Sequence, residues 1–368
     1  MVSNTSQKVE RRVTLAQIAR HADVSTTAVS FVLNGKGAVS EDTAARVLAV
    51  AKELGYTKRG RAAIATTPAH DVEVTRAVPE VIALIWVNTT ESWRHSHLAH
   101  LLIQTISERL EAQGGRLRTI YHNELEGEAL PDLHDVGALF VAGSPRPDFW
   151  ERLPESTPRL NLLCKPYPTE GSFLDIDSLH TGYALTQHLL DHGHRKIAFV
   201  SNSRKHRSFN SRYLGYYRAL DEYELEPQSD WVIRLAQPED MLVETTRPTS
   251  DIELPLAEML TLPLAFRPTA IVAANDWVAA AIYQYAHRAG VKIPEDLSVV
   301  GCDNDPGICD FLKPALTTFS IPYIELANDA VDWMLSLVNG KPLLSQPVMM
   351  QFRGELIARD SVRYLSET

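Results

Sequence analysis

Three hydroxyl side chains and one aromatic ring share one face of a short predicted helix near the start of the chain. This face carries Thr26, Thr27, Ser30 and Phe31. The apolar Val29 and Val32 lie on the opposite face at helical spacing. Hydroxyls can hydrogen-bond to base edges in a major groove, and an aromatic ring can contact a thymine methyl group. The pattern is typical of a helix that reads double-stranded DNA, although an ordinary helical hairpin that binds nothing has the same periodicity.

Two further predicted helices surround this one, within residues 13–57. The first has an apolar stripe formed by Leu15, Ile18, Ala19 and Ala22. The third follows Ser40, ends at Gly55 and has a stripe formed by Val47, Leu48, Ala51 and Leu54. Thr14 and Ser25 stand where the N-caps of the first and second helices are expected. The region is predicted to be a small all-α, three-helix, helix-turn-helix headpiece.

Charge separates along the chain in a way that favours DNA as the partner of the headpiece. Residues 1–65 have a net charge of +5, whereas the whole chain of 368 residues has a net charge of −10. A basic head on an acidic body fits contact with phosphates through the head alone. The three cysteines form no CxxC pair, which argues against a zinc finger or a disulfide framework. Residues 1–12 are polar and no apolar run is long enough to span a membrane, so we expect a cytoplasmic protein.

Strand-like and helix-like patterns alternate after a linker at residues 58–79. The apolar run at 81–87 is typical of a buried parallel strand, and a helical pattern follows it at 97–113. Further strands are predicted at 117–121, 138–141, 160–164, 197–200, 270–273 and 298–301, and further helices at 181–191, 214–223 and 277–289. Repeated βα units predict a doubly wound parallel sheet, and the chain is long enough for two.

Polar residues at the ends of these strands are candidates for binding a ligand. Asn88, Asn275 and Asp303 each follow an apolar run, and Arg212 is expected just before a helix. A carboxylate, an amide and a guanidinium in one cleft suit vicinal hydroxyls, and an aromatic ring such as Trp93 can cover the C–H face of a sugar. If Arg212 and Asp303 face each other across two lobes, they can donate to and accept from hydroxyl groups of one ligand. The alternative is that both residues only hold the fold, for instance as an inter-lobe ion pair. Asn275 could equally be only a helix N-cap.

Several segments in one order resemble the LacI/GalR (lactose/galactose repressor) family. They are residues 13–56, HGHRKIAFV (192–200), SRYLGYYRAL (211–220), residues 267–305, PALTTF (314–319) and RGELIARDSV (353–362). The resemblance implies an α/β periplasmic-binding-protein-like domain of two doubly wound parallel-sheet lobes, joined by three crossovers with the ligand between them. It implies a flexible N-terminus (1–12), the headpiece (13–57), a hinge (58–79) and an effector-binding and dimerisation domain (80–368). Lobe 1 is expected at about 80–175 and 305–322, and lobe 2 at about 176–304 and 323–368.

The resemblance also extends the set of expected site residues. For DNA these are Thr14, Leu15, Ser25, Thr26, Thr27, Ser30, Phe31, Asn34, Ser40, Thr43, Arg59 and Ala62. For the effector they are Asn88, Trp93, Phe173, Arg212, Asn275 and Asp303. The chain departs from the family at Phe31, where a polar residue is usual, and at Ala65, where the usual Leu wedges into the minor groove. Cys164-Lys165 replaces a common Asp-Arg at the cleft.

The sequence therefore predicts a transcriptional regulator, most often a repressor in this family, that binds operator DNA and is controlled by a small polar effector such as a sugar. A homodimer is expected, with a tetramer as an alternative. No catalytic constellation, cofactor or metal site is predicted, and we interpret the close histidines His95, His97 and His100 as solvated or capping residues. The alternative function is a solute-binding protein for sugar transport, which the basic headpiece argues against.

Overall fold

The computed structural model describes most of the chain. The described residues are 15–22, 24, 29, 32, 41–53, 78–89, 91–124, 127–164, 171–204, 206–235, 252–263, 265–341 and 346–365. The chain divides into two compact units, Met1–Thr75 and Arg76–Thr368. Across these residues, no helix has both the length and the apolar character needed to cross a membrane.

The first unit contains helices α1 (Leu15–Ala22) and α2 (Glu41–Glu53), which confirm the predicted first and third helices. Its small core consists of Ile18, Ala19, Ala22, Val29, Val47 and Ala51. Leu48 was expected in this core but is 53% exposed. The prediction was wrong there because the buried stripe of α2 runs through Val47 and Ala51, and Leu48 lies beside that stripe.

Most of the expected DNA-contacting residues lie outside the described part of the chain. These are Thr14, Ser25, Thr26, Thr27, Ser30, Phe31, Asn34, Ser40, Arg59 and Ala62. Leu15 is the first residue of α1, and Thr43 is half-buried in the first turn of α2. Their contacts with DNA therefore stay predictions.

The second unit alternates strands and helices, as predicted. Its strands are β1 (Val81–Val87), β2 (Arg116–His122), β3 (Ala138–Gly143), β4 (Arg159–Cys164), β5 (Phe173–Ile176), β6 (Ile197–Ser201), β7 (Val232–Arg234), β8 (Ala270–Ala273), β9 (Ser298–Asp303), β10 (Thr317–Ser320), β11 (Met349–Phe352) and β12 (Glu355–Ile357). Its helices are α3 (Glu91–Arg94), α4 (His97–Glu111), α5 (Ser178–Asp191), α6 (Arg207–Asp221), α7 (Glu253–Thr261), α8 (Asp276–Ala289), α9 (Pro306–Cys309) and α10 (Tyr323–Val338). Short 3₁₀ helices lie at Pro147–Arg152 and Ser229–Trp231.

Two six-stranded sheets form the cores of two lobes, which confirms the predicted architecture. The first sheet has the order β11-β5-β4-β3-β1-β2, and the second has the order β12-β10-β9-β8-β6-β7. All neighbouring strands are parallel except β12, which runs antiparallel to β10. Central strands such as β1 are buried on both faces, which explains why they read as continuous apolar runs.

The chain crosses between the sheets three times, from β5 to α5, from β10 to α10 and from β11 to β12. Of the described residues, those within 81–176 and 323–352 therefore form lobe 1, and those within 178–320 and 355–365 form lobe 2. The lobe boundaries expected from the sequence were wrong for the C-terminal third. Residues 305–322 were assigned to lobe 1, but β10 pairs with β9 in lobe 2. Residues 323–368 were assigned to lobe 2. Within this range α10 packs on α4 and β11 pairs with β5, so both belong to lobe 1, whereas β12 pairs with β10 in lobe 2 as expected.

Candidate functional site

A cleft lies between the two lobes at the carboxyl ends of strands from both sheets, where open α/β sheets bind ligands. It encloses about 700 Å³ of empty space, including its open mouth. Lobe 1 contributes the apolar and aromatic side chains of Trp86, Trp93, Leu98, Leu163, Ile176 and Tyr323, together with the polar residues Asn88, Thr89 and Ser144. Lobe 2 contributes a polar wall formed by His206, Arg207, Ser208, Arg212, Asn275 and Asp303. One wall suits the C–H face of a ligand, and the other suits its polar groups.

Arg212 and Asp303 are in contact, as predicted, but both belong to lobe 2. Arg212 Nη2 donates to Asp303 Oδ1 at 3.3 Å, and Nη1 donates to the carbonyl oxygen of Ala274 at 2.5 Å. The two side chains are only 5% and 13% exposed. Arg212 does not precede a helix, because α6 begins five residues earlier, after the N-cap His206. The hypothesis that the pair spans the lobes was therefore wrong.

A second carboxyl group lies behind this pair, at the start of α8. Asp276 is fully buried and accepts hydrogen bonds from Thr318 Oγ1 at 2.6 Å and from the backbone N–H of Asp305 at 2.9 Å. Burial raises the pKa of Asp276, and the charge of Asp303 raises it further. Burial also raises the pKa of Asp303, against the opposing effect of Arg212. One guanidinium thus serves two buried carboxyl groups, which favours keeping a proton on the pair.

Four buried groups that can donate hydrogen bonds border the cleft with no partner in the described part of the chain. They are Nε of Arg212, Nε1 of Trp86 and the hydroxyl groups of Thr89 and Ser178. Buried polar groups in native proteins almost always have a hydrogen-bond partner. A ligand that offers hydrogen-bond acceptors at this position would satisfy them.

Asn88 borders the cleft, but its amide is committed to the protein. Its Nδ2 donates to Glu124 Oε2 at 2.9 Å and to the carbonyl oxygen of Ser144 at 3.0 Å, and its Oδ1 accepts from the backbone N–H of Glu124 at 2.9 Å. An amide nitrogen has two hydrogens, and both are used here. Asn88 therefore ties the ends of β1, β2 and β3 together, and it cannot donate to an effector in this arrangement.

Asn275 is a helix N-cap at the edge of the cleft. Its Oδ1 accepts from the backbone N–H of Val278 at 2.9 Å, so it is the N-cap of α8, and it also borders the cleft. Trp93 borders the cleft as expected and packs edge-to-face on Trp86, with ring centroids 5.7 Å apart.

Phe173 is buried but does not border the cleft, so this expectation was wrong. It is the first residue of β5, whereas the cleft is reached by Ile176 at the other end of the strand. At about 3.3 Å per residue the two positions are roughly 10 Å apart. The resemblance placed Phe173 at a cleft position, but it did not show which end of this short strand reaches the cleft.

Sequence reasoning missed the first turn of α6. His206 stacks on Phe209 with ring centroids 3.8 Å apart, and both border the cleft beside Arg207. Arg207 makes a two-bonded ion pair with Asp175 of β5, which belongs to the other lobe. Residues 206–211 are polar apart from Phe209, so they show no helical periodicity that could have revealed this turn.

Across the described residues, no three His, Cys, Asp or Glu side chains are grouped as metal ligands.

Comparison with known proteins gives consistent matches for both units. Residues 14–58 match the family described as bacterial regulatory proteins, lacI family, and residues 186–362 match the periplasmic binding protein-like domain. The chain is 29% identical to the NTD biosynthesis operon regulator NtdR of Bacillus subtilis (strain 168) over 358 residues, which cover 95% of this chain and 99% of that protein.

Solved structures of transcriptional regulators share the fold. The complex of the regulator CelR with cellobiose has a TM-score of 0.60 at 21% identity, over 95% of this chain and 100% of that one. The lac repressor dimer bound to operator and an anti-inducer has a TM-score of 0.60 at 19% identity, over 96% of this chain and 100% of that one.

Proposed function

The chain belongs to the LacI family of bacterial regulators, and we propose that it is a DNA-binding repressor whose operator affinity is controlled by a small polar effector. The effector we propose is a sugar or a sugar derivative. The observation that carries this proposal is the cleft itself, with an aromatic wall in lobe 1 and the Arg212–Asp303 pair in lobe 2. The sugar ligand of the similar regulator CelR supports the same class.

In this proposal the cleft binds the effector through complementary walls. Trp93 covers an apolar face of the ring, Asp303 accepts from hydroxyl groups, and Arg212 Nε and Trp86 Nε1 donate to its oxygens. Asn275 borders the ligand while it caps α8, and Asn88 positions the loops of lobe 1. These roles assign direct contact to residues of both lobes, so that binding depends on how far the lobes are closed.

Binding in the cleft is linked to DNA binding through the geometry of the lobes. An effector that prefers one lobe arrangement shifts the protein toward it and changes how two headpieces in a dimer are spaced on an operator. We propose that Thr26, Thr27 and Phe31 read bases, and that Arg59 contacts phosphate. A homodimer on a palindromic operator fits this symmetry and resembles the lac repressor dimer. The site of action is the cytoplasm, where the DNA is.

The relatives are transcriptional regulators, which supports a binding role over catalysis. A solute-binding protein for transport would share the two-lobe fold, but it has no need of the basic lacI-type headpiece that residues 14–58 match.

Selection from random DNA with the full chain tests the proposed function. We expect enrichment of a palindromic sequence whose affinity falls steeply as salt rises, because several phosphates are contacted. A thermal-shift screen over sugars then identifies the effector by a rise in melting temperature. A protein that binds a sugar but enriches no DNA sequence would be a solute-binding protein, and the proposal would fail.

A further inference from the structure

One ion pair joins the two lobes beside the cleft. Arg207 is the first residue of α6 in lobe 2, and Asp175 lies in β5 of lobe 1. Arg207 Nη1 donates to Asp175 Oδ2, and Nη2 donates to Oδ1 at 2.9 Å. Two parallel hydrogen bonds between a guanidinium and a carboxylate fix both the distance and the orientation of the groups. The pair therefore constrains the position of α6 relative to β5.

The pair is well shielded from water. The side chains of Asp175 and Arg207 are 8% and 22% exposed. A neighbouring pair at the crossovers, Arg353 with Asp177, also has good geometry at 2.8 Å, but Arg353 is 68% exposed. Solvent screening weakens exposed ion pairs, so Arg207–Asp175 is expected to be the stronger of the two. The backbone N–H of Ile176 also donates to Asp175 Oδ1 at 2.8 Å. This hydrogen bond holds the carboxylate in place independently of Arg207.

The N-terminus of α6 needs a negative charge that its own sequence lacks. The helix has no acidic residue in its first turn and begins with the cation Arg207. A cation is unfavourable at the positive end of the helix dipole, whereas an anion is favourable there. Asp175 supplies that anion from the other lobe. Separation of the lobes therefore removes both the partner of Arg207 and the charge that stabilises the start of α6.

We propose that the Arg207–Asp175 pair is an inter-lobe latch that holds the lobes together when no effector is bound. The first two turns of α6 carry Arg207, Phe209 and Arg212 into the cleft, so the latch places these side chains against the wall of lobe 1 in advance. A rotation about the three crossovers that separates α6 from β5 breaks both hydrogen bonds. The latch thus sets the resting balance between closed and open lobes, whatever the effector is.

Distance measurements between spin labels on the full chain, without DNA or effector, test the latch. The labels are placed on Gln113→Cys in lobe 1 and Glu258→Cys in lobe 2, which are both exposed, while the native cysteines are buried. In Asp175→Asn and in Arg207→Gln we expect the distances to lengthen, with the closed-to-open ratio reduced about tenfold. The double variant should show no further change, because both substitutions remove the same interaction.

A matched control breaks an ion pair inside one lobe. Arg118 donates to Asp135 at 2.9 Å within lobe 1, so Asp135→Asn should leave the distances unchanged. If the Asp175 and Arg207 variants melt at lower temperature but keep the wild-type distances, the pair only supports the fold and the latch is refuted. Should these variants fail to fold, the charge-swapped variant Asp175→Arg with Arg207→Asp decides the question. Wild-type distances in that variant support the latch, and longer ones overturn it.

Discussion

The Arg212–Asp303 pair offers the sharpest prediction, because its cost of disruption should depend on pH. Arg212→Met keeps much of the side-chain volume but removes both the hydrogen bond to Ala274 and the counter-charge of Asp303. Leaving one buried partner without the other costs about 3–5 kcal/mol. For a unit of this size that corresponds to a fall in melting temperature of roughly 5–8 °C.

In Arg212→Met the carboxyl group of Asp303 remains without its counter-charge, and its titration sets the direction in which the loss of stability changes with pH. Burial raises the pKa of Asp303 above that of an unfolded Asp, and losing Arg212 raises it further. A carboxyl group whose pKa is raised on folding contributes full stability below its unfolded pKa, and this contribution is lost as the pH rises toward the folded pKa. Arg212→Met should therefore be most damaging at about pH 8 and much milder at about pH 5, where Asp303 is protonated.

Melting curves of the wild type and Arg212→Met at these two pH values measure the effect directly. The double variant Arg212→Met with Asp303→Asn is the control, since it removes both partners of the pair. Because the buried Asp276 remains, this variant should regain part, but not all, of the loss at the higher pH. An equal loss at both pH values, or a loss below about 1 kcal/mol, would refute the assignment of a buried, paired charge.

Three other predictions follow from named contacts. Burial raises the pKa of Asp276, so its ionisation opposes folding as the pH rises from about 4 to about 7. Asp276→Asn should therefore make the melting temperature fall less steeply over this pH range than it does in the wild type, and an unchanged slope of melting temperature against pH contradicts this. Gly301→Ala should lower the free energy of unfolding, measured with denaturant, by about 1–3 kcal/mol, because the new Cβ clashes with Asp276 Oδ1 and lies 2.9 Å from Leu316 Cδ2. An unchanged free energy of unfolding would show that the packing at this position is looser. Phe31→Arg should change which operator half-site is preferred, by roughly 1–3 kcal/mol of binding free energy per altered base step, whereas Arg59→Ala should weaken binding to all DNA sequences alike. An unchanged binding profile for Phe31→Arg would show that the predicted helix with Thr26, Thr27 and Phe31 does not read bases.

Continuous apolar runs let the sequence predict the buried strands well. The run at 81–87 became β1 with the same bounds, and the run at 270–273 became β8, because strands buried on both faces must be apolar throughout. The partner of a short strand could not be predicted in this way. The strands β10 and β11 would fit either sheet by composition, and only tertiary packing assigns them to opposite lobes.

The cleft was predictable where a polar residue ends a buried strand, as at Asp303, because the carboxyl ends of parallel strands share one edge. It was not predictable for the start of α6, where polar residues hide the helix. The sequence also placed Asn88 at the cleft without showing that Glu124 and Ser144 take up its amide hydrogens, since these residues lie 36 and 56 positions away. Long-range hydrogen bonds of this kind leave no local pattern.

The central claim is that the cleft and the headpiece are thermodynamically linked. Fluorescence anisotropy of the selected operator, titrated with the full chain in the presence and absence of the sugar found by thermal shift, tests this claim most directly. The account predicts that the sugar changes operator affinity by roughly 5–150-fold, the usual range of allosteric coupling. An operator affinity that stays the same at saturating sugar would contradict it.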